Sequence, residues 1–258
     1  MKITAIIQAR QDSSRLPNKV MRKILNRPII DLLVERVKKS KLINEIIIAT
    51  PKSEKNRHIH NYCRRKKLSL FKGSASNVLK RYYDAAKKYN SKIIVRLTAD
   101  NPLIDSKIID KTINHFLKNK LEYCSNTNPN HNNYPDGMDV EVFSFKTLEK
   151  TFKFAKLPSE KEHVTFYMWK KKLFKISQPK HSTNYSKYRL TVDYLNDFKL
   201  VKKVFENLYP IKNNFNLRDI VIFLKKNNKL LELNNNILRN ASWEKSFKTD
   251  KKIKDNEQ

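Results

Sequence analysis

Glycine is nearly absent. The 258 residues hold two, Gly73 and Gly137, and in so scarce a supply each marks a place where the backbone needs positive φ or close approach. Cysteine is as rare: Cys63 and Cys124 lie far apart and in no metal-ligand pattern. That excludes a disulfide framework and reads as reduced thiols in a cytoplasmic protein. The first residues, MKITAIIQAR, hold too short an apolar run for a secretory leader, and no stretch approaches the length of a membrane span. Acidic residues are also few, 25 against 55 Lys and Arg, which leaves a net charge of +30. Such a balance fits a nucleic-acid binder. It fits equally an AT-rich codon bias, since the lysines are scattered and Asn and Ile are abundant, with a general attraction for anionic substrates added. We favour the second reading.

What is present is a regular alternation. Apolar runs at Thr4 to Gln8, Ile46 to Thr50, Leu68 to Phe71 and Ile93 to Thr98 read as buried strands. Between them lie helical patterns: one opened by Pro28, then Lys52 to Lys66, Ser76 to Tyr89, and one capped by Asp105. This order predicts an α/β fold, a mainly parallel central sheet with helices on both faces. Ligands of such sheets bind beyond the carboxyl ends of the strands. The second half is less regular. Strands are expected at Val140 to Phe143 and Arg189 to Val192, and helices at Lys146 to Ala155, Glu160 to Trp169, Asn196 to Asn207 and Asn216 to Lys226. Residues 1–243 are read as one domain and 244–258 as a loose polar tail.

The loop after the first strand, Gln8-Ala9-Arg10-Gln11-Asp12-Ser13-Ser14-Arg15-Leu16-Pro17-Asn18-Lys19, carries three cations with two hydroxyls among them. A triphosphate needs such a set, and arginine, the minority cation here, appears twice where bidentate contacts would use it. Gly73 follows the third strand, where it would let a ligand approach; Gly137 reads as an ordinary turn. Asp100 ends the fourth strand and Asp193 closes the strand expected at 189–192. Two carboxylates from distant segments would suit Mg²⁺ if they met.

At these residues the chain resembles the CMP-sugar synthetases, the acylneuraminate and deoxyoctulosonate cytidylyltransferases. The resemblance is nearest to the branch called spore-coat polysaccharide biosynthesis protein F. It rests on IIQARQDSSRLPNKV, KGSASNVLKRYYDAA, IIVRLTADNPLID, YPDGMDVEVFS, EHVTFYMW, YRLTVDYLNDFKLV and ILRNASWEKS, in order along almost the whole chain. It implies a GT-A-like nucleotidyltransferase fold, CTP as cosubstrate and Mg²⁺ as cofactor. Arg10, Arg15 and Lys19 would hold the triphosphate, with Gln8, Ala9, Ser14 and Gly73 in the same binding segments. Ser74 and Thr98 would lie near base and ribose, and Asp100 and Asp193 would bind the metal. Asp139, Glu141, Glu162 and His163 would shape the sugar site, and a homodimer is implied, pairing through Tyr134 to Phe143 in an insertion around 121–145. Two departures stand out: Asn18 where the family usually has Gly, and Gln11-Asp12 where the position after the first Arg is usually apolar.

The expected reaction is CMP transfer from CTP to a sugar, of the acidic ulosonic type, for surface polysaccharide or glycan synthesis. A GT-A-type glycosyltransferase and a basic nucleic-acid-binding protein are the alternatives; the first is disfavoured because Asp100-Asn101-Pro102 lacks the second Asp of a D-x-D pair.

Overall fold

The computed structural model of the protein describes residues 1–127, 133–171, 173–239 and 241–256. Four parallel strands form the centre: β1 (Ile3–Gln8), β4 (Glu45–Pro51), β5 (Ser69–Gly73) and β6 (Ile93–Thr98). The strands expected from short apolar runs are these four. A two-residue hairpin, β2 (Lys23–Ile24) and β3 (Arg27–Pro28), follows the first loop. β8 (Glu141–Ser144) lies antiparallel to β6, and β7 (Tyr123–Ser125) pairs with it and with β9 (Ile176–Ser177), giving the order β5-β4-β1-β6-β8-β7-β9.

Alternation along β1 divides the core. Ala5 and Ile7 face a layer with α1 (Ile29–Val37), α2 (Arg57–Arg65), α4 (Ser106–Lys118), α8 (Leu195–Leu208) and α9 (Leu217–Lys226). Ile6 faces α3 (Val78–Lys88), α5 (Phe145–Phe154) and α7 (Phe166–Lys170). Burial on both faces explains why β1 reads as a continuous apolar run and not as an alternating one. The chain leaves β1 towards β4 on one side and has β6 on the other, so the loops after β1 and β6 splay apart at a topological switch point.

The second half departs from expectation in three places. The helix expected over Glu160 to Trp169 is two, α6 (Pro158–His163) and α7, broken at Val164, whose φ of 64° a β-branched residue rarely adopts. Val164 is fully buried, so packing holds the break. Arg189 to Val192 forms no strand: it makes a single bridge, Asp136 with Arg189, and Val192 N–H donates to the Asp100 carbonyl at 2.8 Å. In the 134–143 segment Tyr134, Met138, Val140, Val142 and Phe143 are fully covered within their own chain. β7 and β8 belong to the main sheet, and 128–132 of the expected insertion lie outside the described residues. Finally, the stretch read as a loose tail is helical: α10 (Ala241–Asn256) packs on α6, and residues 257–258 lie outside the described set.

Candidate active site

The loop after β1 is shaped by its two departures. Asn18 sits in the left-handed region at φ 55°, the conformation that glycine would adopt there and asparagine tolerates. Gln11 stabilises it: Gln11 Nε2 donates to Asn18 Oδ1 at 2.8 Å, and Asn18 N–H donates to the Gln11 carbonyl at 3.1 Å. Gln11 is itself buried and accepts from His58 N–H, while its own N–H donates to Asn56 Oδ1. The polar residue after Arg10 is thus a strut, and Asp12 is directed to Arg10 at 4.0 Å on the surface.

This turn drives Lys19 inward. Its Nζ lies 2.6 Å from Asp100 Oδ2 and 2.8 Å from Asp193 Oδ1. The two carboxylates from distant segments do meet, around one cation. Burial opposes the charge on Lys19, but Asp100 and Asp193 outweigh it and its pKa is raised. Burial likewise works against Asp193, yet Lys19 and Arg15 hold it well below the usual carboxylate range. Arg15 reaches Asp193 at 2.7 Å and lies over the Tyr194 ring. From behind, Arg189 contacts Asp193 at 3.2 Å and the fully buried Asp197 at 2.9 Å. Asp197 Oδ2 accepts the N–H groups of Asp193 and Tyr194 at the start of α8. Asp193 is thereby fixed at both backbone and side chain. Two oxygens converging on one cation form a donor set that fits a hard divalent ion completed by phosphate oxygens. Among the described residues there is no cluster of three or more His, Cys, Asp or Glu that would hold a metal alone.

A cavity opens over this cluster. Gln8, Ala9, Arg10, Ser14, Arg15, Lys19 and Thr98 line it. Gly73 and Ser74 stand back from it, and Ala75 and Val78 take their place in the wall. A Cβ on Gly73 would meet Phe71 Cε1 at 2.7 Å and Arg81 Cγ at 2.9 Å, so the close approach there is made by the chain's own side chains. The Ser74 hydroxyl accepts from Asn77 N–H and its carbonyl from Arg81. Arg81 is a residue of this wall that the sequence reading missed. It is 3% exposed, faces the cavity from α3, and keeps its Nε without a hydrogen-bond partner. Its burial, with Arg10 nearby, lowers its pKa. The available signal was an arginine between Leu79 and Tyr82 on an apolar helix face.

A second cavity lies across Thr98, Asp100, His163 and Asp193, which line both. Asp139 and Glu141 line it; Glu162 instead faces the first cavity. Glu141 is fully engaged. It is ion-paired with Arg96 and accepts from Tyr123 Oη and Thr165 Oγ1, each at 2.6 Å. Asp136 joins this wall and pairs with Arg189 at 2.5 Å. Burial first, then the neighbouring Asp139, raise its pKa to about 7 against the pull of Arg239 and Arg189. Gly137 is a true glycine position, unlike Gly73. Its φ is 97°, and a Cβ would lie 2.5 Å from the backbone of Leu190 and Thr191. That contact brings the 134–141 and 189–193 segments together.

The far wall comes from the C-terminal segment. Trp243 lines the cavity with Phe166 and Trp169, its ring 4.9 Å from Phe166 and 6.0 Å from Trp169. Arg239 donates to Asp139 Oδ1 and to the Tyr134 carbonyl, both at 3.1 Å. The Ser246 hydroxyl donates to Glu162 Oε2 at 2.7 Å, and His163 Nε2 lies 2.9 Å from the same hydroxyl. That network makes Nε2 the protonated nitrogen of a neutral ring. Burial lowers the His163 pKa to about 4, with Glu162 opposing and Arg96 and Lys170 assisting.

Residues 4–242 match the family model described as cytidylyltransferase. An uncharacterized protein of Methanocaldococcus jannaschii, MJ1063, is 40% identical over 92% of this chain and 96% of its own length. The spore coat polysaccharide biosynthesis protein SpsF of Bacillus subtilis is 29% identical over 79% of this chain and 86% of its own. Among solved structures, a cytidylyltransferase from Leptospira borgpetersenii superposes with a TM-score of 0.85 at 34% identity, covering 93% of this chain and all of that one.

Proposed function

The chain belongs to the cytidylyltransferase family, and we propose that it transfers CMP from CTP to a hydroxyl of a sugar, releasing pyrophosphate. The observation that carries this reading is the Lys19 ammonium held between Asp100 and Asp193, on the wall shared by a cationic cavity and a second, carboxylate-lined one. The first cavity takes CTP. The second takes the acceptor, with its nucleophilic oxygen at the shared wall. That oxygen attacks the α-phosphorus in line: the new O–Pα bond forms as the bond to the bridging oxygen of pyrophosphate breaks, and the hydroxyl proton passes to water.

Arg10, Arg15 and Lys19 bind the β- and γ-phosphates and stabilise the charge that grows on the leaving group. Arg81 adds a buried guanidinium to the same wall. Asp100 and Asp193 would hold Mg²⁺, which when bound would neutralise phosphate charge. His163, neutral through burial and bonded to Ser246, contributes an uncharged ring to the wall that both cavities share. Holding both reactants across one wall lowers the entropic cost of their encounter.

The test is pyrophosphate release from CTP over a panel of sugars, with melting-point shifts for CTP, UTP, ATP and GTP in moderately high salt. CTP alone should shift the protein. Asp100→Asn should lose at least about 100-fold in turnover with the fold retained; near-normal turnover in that variant would overturn the metal assignment. Release of a nucleoside diphosphate from a nucleotide sugar would overturn the reaction.

A further inference from the structure

We infer that Arg81 reads the base of the bound nucleotide, donating to the adjacent O2 and N3 acceptors of cytosine and so selecting CTP over UTP. This rests on the nucleotide-cavity reading above and names the residue that gives that cavity its base preference. Arg81 is 3% exposed yet lines the cavity from α3. Its Nη1 donates to the Ser74 carbonyl at 2.6 Å, the one hydrogen bond that the described residues give it. Nε is enclosed without a partner, which leaves Nη2 to face the cavity. Burial lowers the pKa of the side chain, and Arg10 adds to that. Donors left open on a buried arginine are a ligand's to satisfy. The side chain is also aimed in advance. A Cβ on Gly73 would meet Arg81 Cγ at 2.9 Å and Cβ at 3.3 Å, so one of the two glycines in the chain makes room for the Arg81 stem.

The surroundings of Arg81 suit a base better than a phosphate. Arg15 and Lys19, joined to Asp193 and Asp100, mark the phosphate end of the cavity. Arg81 stands apart from them: the charged residues that act on it are Arg10 and Asp12. Its neighbours on the wall are Ala75, next to the carbonyl it holds, and Val78, one helical turn before it. A phosphate shedding its water there needs several donors, and neither Ala75 nor Val78 has one to give from its side chain. A pyrimidine ring has apolar faces and a polar edge, and Ala75 and Val78 suit the faces while the guanidinium suits the edge. Cytosine presents O2 and N3 side by side as acceptors. Uracil carries a hydrogen on N3, which would point at a guanidinium that can only donate.

Calorimetry with Mg²⁺ and no acceptor tests this, using CTP, UTP, 3-deaza-CTP and inorganic tripolyphosphate as probes. CTP should bind the wild type at least about tenfold more tightly than UTP or 3-deaza-CTP, in which a C–H replaces N3, because a buried donor is left unpaired by either analogue. Arg81→Met should level the three nucleotides while tripolyphosphate binds as it does to the wild type. Equal binding of CTP and 3-deaza-CTP by the wild type overturns the inference without recourse to any variant. A CTP preference that survives Arg81→Met overturns it too. So does a parallel loss of CTP and tripolyphosphate affinity in that variant, which would make Arg81 a phosphate clamp. In these three cases the nucleotide reading stands. Failure of the wild type to bind CTP at all overturns the nucleotide reading and this inference with it.

Discussion

Lys19, Asp193 and His163 arrive from separate segments, and the surroundings of each decide its charge state. His163 shows what this implies for pH. In the unfolded chain its ring binds a proton below about 6.5; in the folded protein it does so only near about 4. The unfolded state therefore carries the extra proton between those values, and stability falls as pH drops through that window. His163→Gln should flatten that part of the curve, read as the urea midpoint between pH 7 and 4, and the wild-type ring should show no NMR titration near pH 6.5. An undiminished slope in the variant would mean that another group is responsible. At this scale much was legible. Arg10, Arg15 and Lys19 stood out as cations on a strand-end loop, and the left-handed tolerance of asparagine accounts for Asn18. Arg81 and Gly137 were not. The first needs the register of α3 against β5, and the second needs the backbone of Leu190 and Thr191, 2.5 Å away and more than fifty residues on.

At the scale of elements, the parallel strands were readable because burial on both faces writes short apolar runs into the sequence. The segments that finish the site carry no such period. Residues 189–192 are held by one bridge and single hydrogen bonds, and α6 breaks from α7 where packing overrides the preference of a valine. α10 was hidden by its polar composition. It is anchored by Asp250, 6% exposed, whose carboxylate accepts from Ser159 N–H at 2.9 Å and from the Ser159 hydroxyl. Asp250→Ala would leave both buried donors without partners, a cost of about 1–3 kcal/mol. Hydrogen exchange should quicken in α6 and α10 together, acceptor affinity should fall, and the CTP melting shift should persist. Loss of the CTP shift would place α10 in the nucleotide site and contradict the division into two cavities.

The whole molecule carries a charge of +30, and the site uses a few of those cations. The remainder draw polyanions of any kind, with a reach set by the Debye length, about 10 Å at 0.1 M salt and about 3 Å at 1 M. Single-stranded DNA bound at low salt should therefore dissociate steeply as salt rises. The CTP-specific shift, made by partly buried contacts, should survive the same change. Persistence of DNA binding at high salt would favour a dedicated nucleic-acid function. No described helix is long and apolar enough to cross a membrane. At this scale the family was legible, because one ordered set of motifs runs along almost the whole chain, and residues 4–242 match one family model.

The wall that Trp243 supplies has a consequence in time. During synthesis, every residue of the nucleotide cavity has been made once Asp193 has been added. The acceptor cavity waits a further fifty residues for Trp243. The order of synthesis thus supplies every residue of the donor cavity before the last wall of the acceptor cavity.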